Sequence, residues 1–361
     1  MVPEKNSQPS NIEPNNSAPP YPLSFVDRLI ARIERLPGPA GAFYLLLTLI
    51  FVALGHGLRW LDGSLQAGAF DPPRFANDSL TVYALALMHY LNLTARESLA
   101  VFRPALGKLE AEYERLDAEL TTTSPRTFLI SAAIGFGLTI LSFVSDPVAW
   151  GITADSSLLT NISGVIQGSI ENVFFFVLIV HTVQQVRLIV RIHRAATNVS
   201  LYESDSHHAF SKLTARAAIG LVLPIYYYSI VVYLQVGKLG GMSAVDNGIV
   251  IFCLLISAVV FILPLNDMRR RLVQEKSRLI IESDRHIEMT TRDLHKRVSA
   301  GTYENMDDLN KALASLVIEK DTLKKISTWP WEAETMRGFL SSVGLPILLW
   351  FVTTFLSRYF Q

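Results

Sequence analysis

Cysteine is almost missing from this chain: Cys253 is the only one, and it sits inside a long apolar run. A lone thiol cannot build a disulfide framework or a C-x-x-C metal clip, and one surrounded by apolar groups makes a poor nucleophile. No G-x-x-x-x-G-K-[ST] loop is present, and "GKLGG" (Gly237–Gly241) does not fit one; H-E-x-x-H is absent too. No aspartate stands in the central stretch of any long apolar run, which argues against an intramembrane enzyme built on a carboxylate pair. The expectation is therefore no enzyme, no cofactor and no metal. Lys and Arg are missing from Ser145–Ile170, and charge of either sign is missing from Gly338–Ser357.

What the chain has is apolar length. Of 361 residues, 50% are hydrophobic, and mean hydropathy is +0.31. Crossing the hydrocarbon core takes about 20 apolar residues, with roughly 17 tolerated. Six runs qualify: Gly41–Leu58, Thr127–Val144, Val173–Val190, Ala217–Val236, Gly248–Leu265 and Phe339–Leu356. A seventh, Ser79–Leu93, is short and carries His89 and Asn92. The fold class expected is all-α: a polytopic integral membrane protein with six or seven transmembrane helices and a cytoplasmic, coiled-coil-like helical bundle.

Basic residues set the orientation, because Lys and Arg collect on the cytoplasmic side. With seven spans, 28 of the 32 fall on one side, and only Arg59, Arg74, Lys238 and Arg358 on the other. With six, Ser79–Leu93 re-enters, the division is 26 to 6, and the N-terminus changes side. In both, the C-terminus is outside and Ser145–Ile170 is an external loop.

Along the chain, 1–22 reads as a disordered Pro/Asn/Ser-rich tail without signal-like flanks. Residues 23–40 form an interfacial amphipathic helix through Phe25, Leu29, Ile33 and Leu36. Residues 41–93 hold the first span and the short second segment. Residues 94–126 form a cytoplasmic amphipathic helix with Leu99, Phe102, Leu106, Leu109, Tyr113, Leu116 and Leu120 at alternating three- and four-residue spacing. Thr94 with Glu97 reads as its capping box, and Pro104 as a kink or fresh start. Residues 127–265 hold four spans, with a cytoplasmic extension around 187–216. Residues 266–327 form a cytoplasmic hairpin: Val273, Ile280, Ile287 and Leu294 make one seam, "VSAG" (Val298–Gly301) breaks it, and Met306, Leu309, Leu313, Leu316 and Leu323 make the other. Residues 328–361 enter and cross the bilayer. There Trp329 and Trp331 flank Pro330 as an interfacial belt, Glu332 and Glu334 suit a first helical turn, and Pro346 kinks the span.

Polar residues within spans are the functional candidates. Glu171 and Asn172 open the fourth span, His181 lies well inside it, and Gln184 and Gln185 follow. A hydrogen-bonded packing histidine is the plainer account of His181, and the positive-inside rule that of Arg187, Arg191 and Arg194. His89 either lines a cavity or marks a segment that does not cross. Tyr228 is chosen from "YYY" because three successive helical positions point about 100° apart, so one hydroxyl reaches the interior. "ESDSHH" (Glu203–His208) offers loose metal or pH-sensing ligands, more simply a solvated turn. Gly135, Gly137, Ser341, Ser342 and Gly344 would let helices approach closely.

The layout of seven spans, inside N-terminus, outside C-terminus and a cytoplasmic helical extension before the last span resembles that of the insect odorant and gustatory receptor channels. No residue is carried over from that likeness. Two functions are expected: an oligomeric channel or transport-type pore with a cytoplasmic assembly domain, or a non-conducting membrane-anchored sensor or scaffold. The partners expected are the lipid bilayer, further copies of the chain and a cytoplasmic protein, with no nucleic acid.

Overall fold

The computed structural model describes residues 21–145, 157–197, 201–202, 204–236, 244–302, 304–331 and 334–344. The N-terminal tail expected over 1–22 and Pro346 fall almost wholly outside them. Among the described residues the protein is all-helical, without strands. The helices are α1 (Phe25–Glu34), α2 (Ala40–Leu61), α3 (Pro72–Leu106), α4 (Tyr113–Thr121), α5 (Pro125–Ser145), α6 (Leu158–Ala195), α7 (Ser204–Val236), α8 (Ala244–Ser299) and α9 (Met306–Lys325), with a 3₁₀ turn at Gly107–Glu112 and a last helical stretch over 334–344.

Four described stretches are long and apolar enough to cross a membrane: Ala40–Leu61, Arg74–Ser145, Asn161–Ala195 and Ile251–Ser299. That is fewer than the six or seven expected. The second stretch contains both Ser79–Leu93 and Thr127–Val144, and most of Phe339–Leu356 lies beyond the described residues.

Local chemistry sets the boundaries. Ser24 and Asp27 form a reciprocal capping box at the start of α1, whose Val26, Ile30 and Ile33 turn inward. Asp71 caps α3, with prolines in its first turn. Pro125 opens α5, and the Ser124 hydroxyl accepts from the Thr127 amide at 3.2 Å.

Three sequence expectations are corrected. Thr94 does not start a helix: α3 runs unbroken from Pro72 to Leu106, and the Thr94 hydroxyl donates to the Tyr90 carbonyl at 2.9 Å in mid-helix. Pro104 lies in the last turn, and the chain breaks three residues later at Gly107, whose φ of +58° suits glycine. Ser145–Ile170 is not all loop, because α6 begins at Leu158, so Glu171 and Asn172 sit inside a 38-residue helix. The polar residues that hid this face a neighbour: Asn172 Nδ2 donates to Thr139 Oγ1 of α5 at 2.9 Å.

α3 is the centre. It packs on α2, α6 and α7, while α6 also packs on α5 and α8. Its seam is covered within the chain: Leu99, Phe102, Leu106, Leu116 and Leu120 are all buried. The second seam pairs α8 with α9, along which Ile280, Ile287, Leu294, Met306, Leu309, Leu313 and Leu316 remain half-exposed; Leu323 is buried and Val273 exposed. Large apolar residues are exposed along α2 (Leu45 to Leu54), α5 (Leu129 to Val144) and the first half of α8 (Ile251 to Leu263), surface suited to lipid rather than water.

Trp331 is half-buried, while Trp329 stays exposed. Trp331 packs near Phe261, which stacks on Phe339 at 3.9 Å, and Arg269 lies 3.9 Å over the Trp329 ring.

Gly135 is the tightest crossing. A Cβ there would lie 2.8 Å from the Asn172 carbonyl oxygen and 2.9 Å from Val173 Cα, both backbone atoms that cannot yield. Gly135→Ala should therefore lower the thermal midpoint in detergent, at a cost of about 1–3 kcal/mol. Gly137→Ala meets nothing within 4 Å and should be neutral or slightly stabilising.

At the far end of α2, Ser157 Oγ donates to Asp62 Oδ2, and with the Ser64 amide it holds the Asp62 carboxyl below its ordinary range. The stability these bonds contribute is complete above the unfolded value near pH 4 and is lost as pH falls through the lower folded value. Asp62→Asn should flatten that acid limb of a thermal-stability profile.

Candidate functional site: a buried polar node on α3

Asn92 reaches α3's inner face one turn below His89, and four elements meet there. His181 of α6 places Nε2 at 2.7 Å from Asn92 Oδ1 and Nδ1 at 2.9 Å from Thr123 Oγ1. These partners assign the neutral imidazole with its proton on Nε2, Thr123 donating to Nδ1. Gln185, one turn on, donates to the Leu120 carbonyl at 2.9 Å and more weakly to Asn92 Oδ1 at 3.4 Å. The Thr123 amide donates to Asp27 Oδ2 at 3.0 Å, and Asp27 also accepts from the Ser24 amide and hydroxyl. Asp27, Asn92, Thr123, His181 and Gln185 are all buried. The chain of bonds runs from the cap of α1, through the turn before α5, to α6 and α3. Gln184 extends it sideways, donating to Thr127 Oγ1 at 3.1 Å.

The remaining candidates do not join this node. His89 is buried between Tyr44, whose hydroxyl lies 3.0 Å from Nδ1, and Glu34, 3.2 Å from Nε2. It closes α1 and α2 onto α3. Glu171 belongs to a second cluster towards the other end, where Arg74 and Asp78 are the charged groups acting on it. There Arg74 pairs with Asp78 at 3.2 Å, Arg59 with Asp71, and the Asp71 amide donates to His56 Nε2 at 3.3 Å. Asp78 is buried with Oδ2 unpartnered, close against Gly55. The Tyr228 side chain is outside the described residues; its neighbour Tyr226 donates to the Ser342 carbonyl.

Of "ESDSHH", Glu203 and the side chains of Ser204, Asp205 and His207 lie outside the described residues, while His208 bonds the Pro330 carbonyl at 3.0 Å. Among the described residues no group of three His, Cys, Asp or Glu side chains is placed to hold a metal ion. Arg191 and Arg194 meet Glu119 and Asp267 at 3.6 and 2.6 Å.

Sequence reasoning passed over Asp27, Thr123 and His193. The first two lie in segments read as an interfacial helix and a cytoplasmic amphipathic helix, and only their meeting point links them to His181. His193 is buried between Phe102 and Phe210, with Nδ1 3.0 Å from the Pro264 carbonyl. It had been hidden among the arginines that end α6.

Chemically, the node can carry a hydrogen-bonded relay and lock four segments together. Comparison with protein-family models, with characterised proteins and with solved structures finds no match.

Asp27→Ala should destabilise the protein by about 1–3 kcal/mol, because three donors lose one buried acceptor. His181→Ala and Asn92→Ala, each measured by thermal melt and combined in a double-mutant cycle, should be non-additive by about 0.5–3 kcal/mol. Additive effects would mean the two side chains do not share a bond.

Proposed function

We propose that this chain is an assembly-forming membrane protein that crosses the bilayer seven times, with the α8–α9 hairpin on the cytoplasmic side binding a second copy. The observation that carries this reading is the half-covered seam between α8 and α9. Two helices can close an a/d seam between themselves, but here the seam residues stay part-exposed, which leaves room for a further helix. Val317 and Ile318 of α9 and Ile281 of α8 add exposed apolar surface beside it. The first seam offers less such surface: Leu99, Phe102, Leu106, Leu116 and Leu120 are buried, and of its residues Leu109 and Tyr113 alone are part-exposed.

Seven crossings are favoured because α3 runs beside α2 for its full length. Tyr44 meets His89 near one end, and Gly55 meets Asp78 near the other, as expected of a helix that crosses rather than re-enters. That count puts the basic segments, hairpin included, on the positive inner side.

Of the two activities expected, the non-conducting scaffold or sensor fits the single chain better. His181, Gln184 and Gln185 are engaged in a closed bundle, and the cluster around Asp78 stands apart from them instead of continuing one polar axis. A conduction path of the channel type would then run between copies.

Mass photometry of the purified protein should show a closed oligomer, and Ile281→Glu with Ile318→Glu, both exposed beside the seam, should reduce it to monomers that keep their thermal midpoint. A monomeric wild type would sink the assembly reading. Planar-bilayer recording on the same preparation separates the activities: silence from the oligomer supports the scaffold, and reproducible unitary currents that His181→Ala leaves intact place a pore between copies.

A further inference from the structure

An apolar space lies along the same face of α2 as Tyr44, where Leu47 and Phe51 follow at helical spacing. It is a cavity of about 440 Å³ among α1, α2, α3, α5 and α6, walled by Phe51, Leu85, Val173 and Phe174 and closed at one end by Phe25 and Leu29 against Phe128. The Phe25 and Phe128 ring centroids are 6.1 Å apart. Only two lining residues are polar, and both hydroxyls are turned to their own helices: Thr81 donates to the Asn77 carbonyl at 3.4 Å and Ser169 to the Val165 carbonyl at 2.6 Å. No lining polar group asks for a partner, so the space suits an apolar occupant and not water. Its size falls in the range of ligand pockets, about 300–1,000 Å³. The helices around it carry the exposed Leu46, Leu49, Ile50, Leu129, Ile130 and Ile134, which places it at bilayer depth.

The closed end is cationic. Arg28 and Arg32 lie one and two turns along α1 from Phe25 on the same outward face, and Arg126 lies two residues before Phe128. The carboxylates of α1 are used elsewhere: Asp27 is turned inward to Ser24 and Thr123, and Glu34 meets His89. Arg28 Nε donates to the Ser24 carbonyl at 3.3 Å, and among the described residues none of the three arginines has a carboxylate within ion-pair distance. The capping box and the Thr123–Asp27 bond fix α1, and with it this pairing of aromatic gate and guanidinium groups.

We infer that this cavity is a binding site for one anionic phospholipid, with an acyl chain between α2, α3 and α6 and its phosphate held by Arg28, Arg32 and Arg126. The chain sits where hydrocarbon is the solvent, and the headgroup sits where basic side chains at a membrane surface attract anionic lipid. The site rests on the membrane reading alone, not on assembly of copies.

The test uses the full chain in dodecyl maltoside, incubated with dioleoylphosphatidylglycerol or dioleoylphosphatidylcholine, with retained lipid counted by native mass spectrometry. The expected result is one phosphatidylglycerol retained about tenfold over phosphatidylcholine. Arg28→Gln combined with Arg126→Gln should abolish the preference, lowering phosphatidylglycerol retention to the level of phosphatidylcholine, and Ser169→Phe, which fills the cavity, should lower retention of both. The exposed Arg32→Gln, which touches no packing contact, serves where a double variant loses its cooperative melt. Equal retention of the two lipids by the wild type overturns the proposal, and so does a preference that survives all three variants. Loss of oligomers with lipid preference intact would count against assembly only.

Discussion

A polar side chain on a helix at the centre of a membrane bundle has no water to turn to, so it is driven to a partner on its own helix or a neighbouring one. α3 is that helix here. Asp78, Thr81, His89, Asn92, Thr94 and Ser98 are all buried along it. Tyr44 of α2 answers His89, His181 and Gln185 of α6 answer Asn92, and Arg216 of α7 donates to Thr94 at 3.1 Å. The order of helices around α3 follows from satisfying these groups. Apolar contact among Leu, Val and Phe discriminates little between neighbours when the surrounding solvent is itself hydrocarbon.

The same constraint explains why α1 is part of the bundle and not a loose interfacial segment. Its Asp27 accepts from a turn 96 residues away, so the cap of the first helix and the start of α5 are one structure. The Phe25–Phe128 contact and the outward arginines inherit their positions from that bond. Without it, α1 would be tied to the bundle by its apolar face and the Glu34–His89 contact, and the end that carries Phe25 would lose its fixed place.

The two amphipathic seams look alike in sequence and end differently. Leu99 to Leu120 folds back through a 3₁₀ turn and is covered by α6 and α7, close under the spans. The α8–α9 seam stands further out, on a helix of 56 residues that at about 1.5 Å each reaches some 84 Å, beyond the cover of the other helices. Coverage is a matter of distance from the bundle, and spacing along the chain does not encode it. For that reason the proposed second copy is placed on the hairpin.

Much of the architecture was legible in the residues. The apolar runs, the three- and four-residue rhythm facing α8 to α9, the break at Gly301 and the close approach at Gly135 follow from side-chain size, periodicity and the φ that glycine tolerates. His181 could be singled out because an ionisable group in an apolar run is costly wherever it sits. Its partners could not, since Asn92 and Thr123 lie 89 and 58 residues away and become neighbours only when α3, α5 and α6 pack. The start of α6 was likewise hidden, because Asn161, Gln167 and Asn172 look like loop until α5 and α3 stand beside them. By itself the sequence determined which segments are helical and apolar, since these depend on local periodicity. Only the tertiary structure decided which polar groups meet, which seam stays half open and where the lipid-sized cavity lies, since each depends on a distance between residues far apart in the chain.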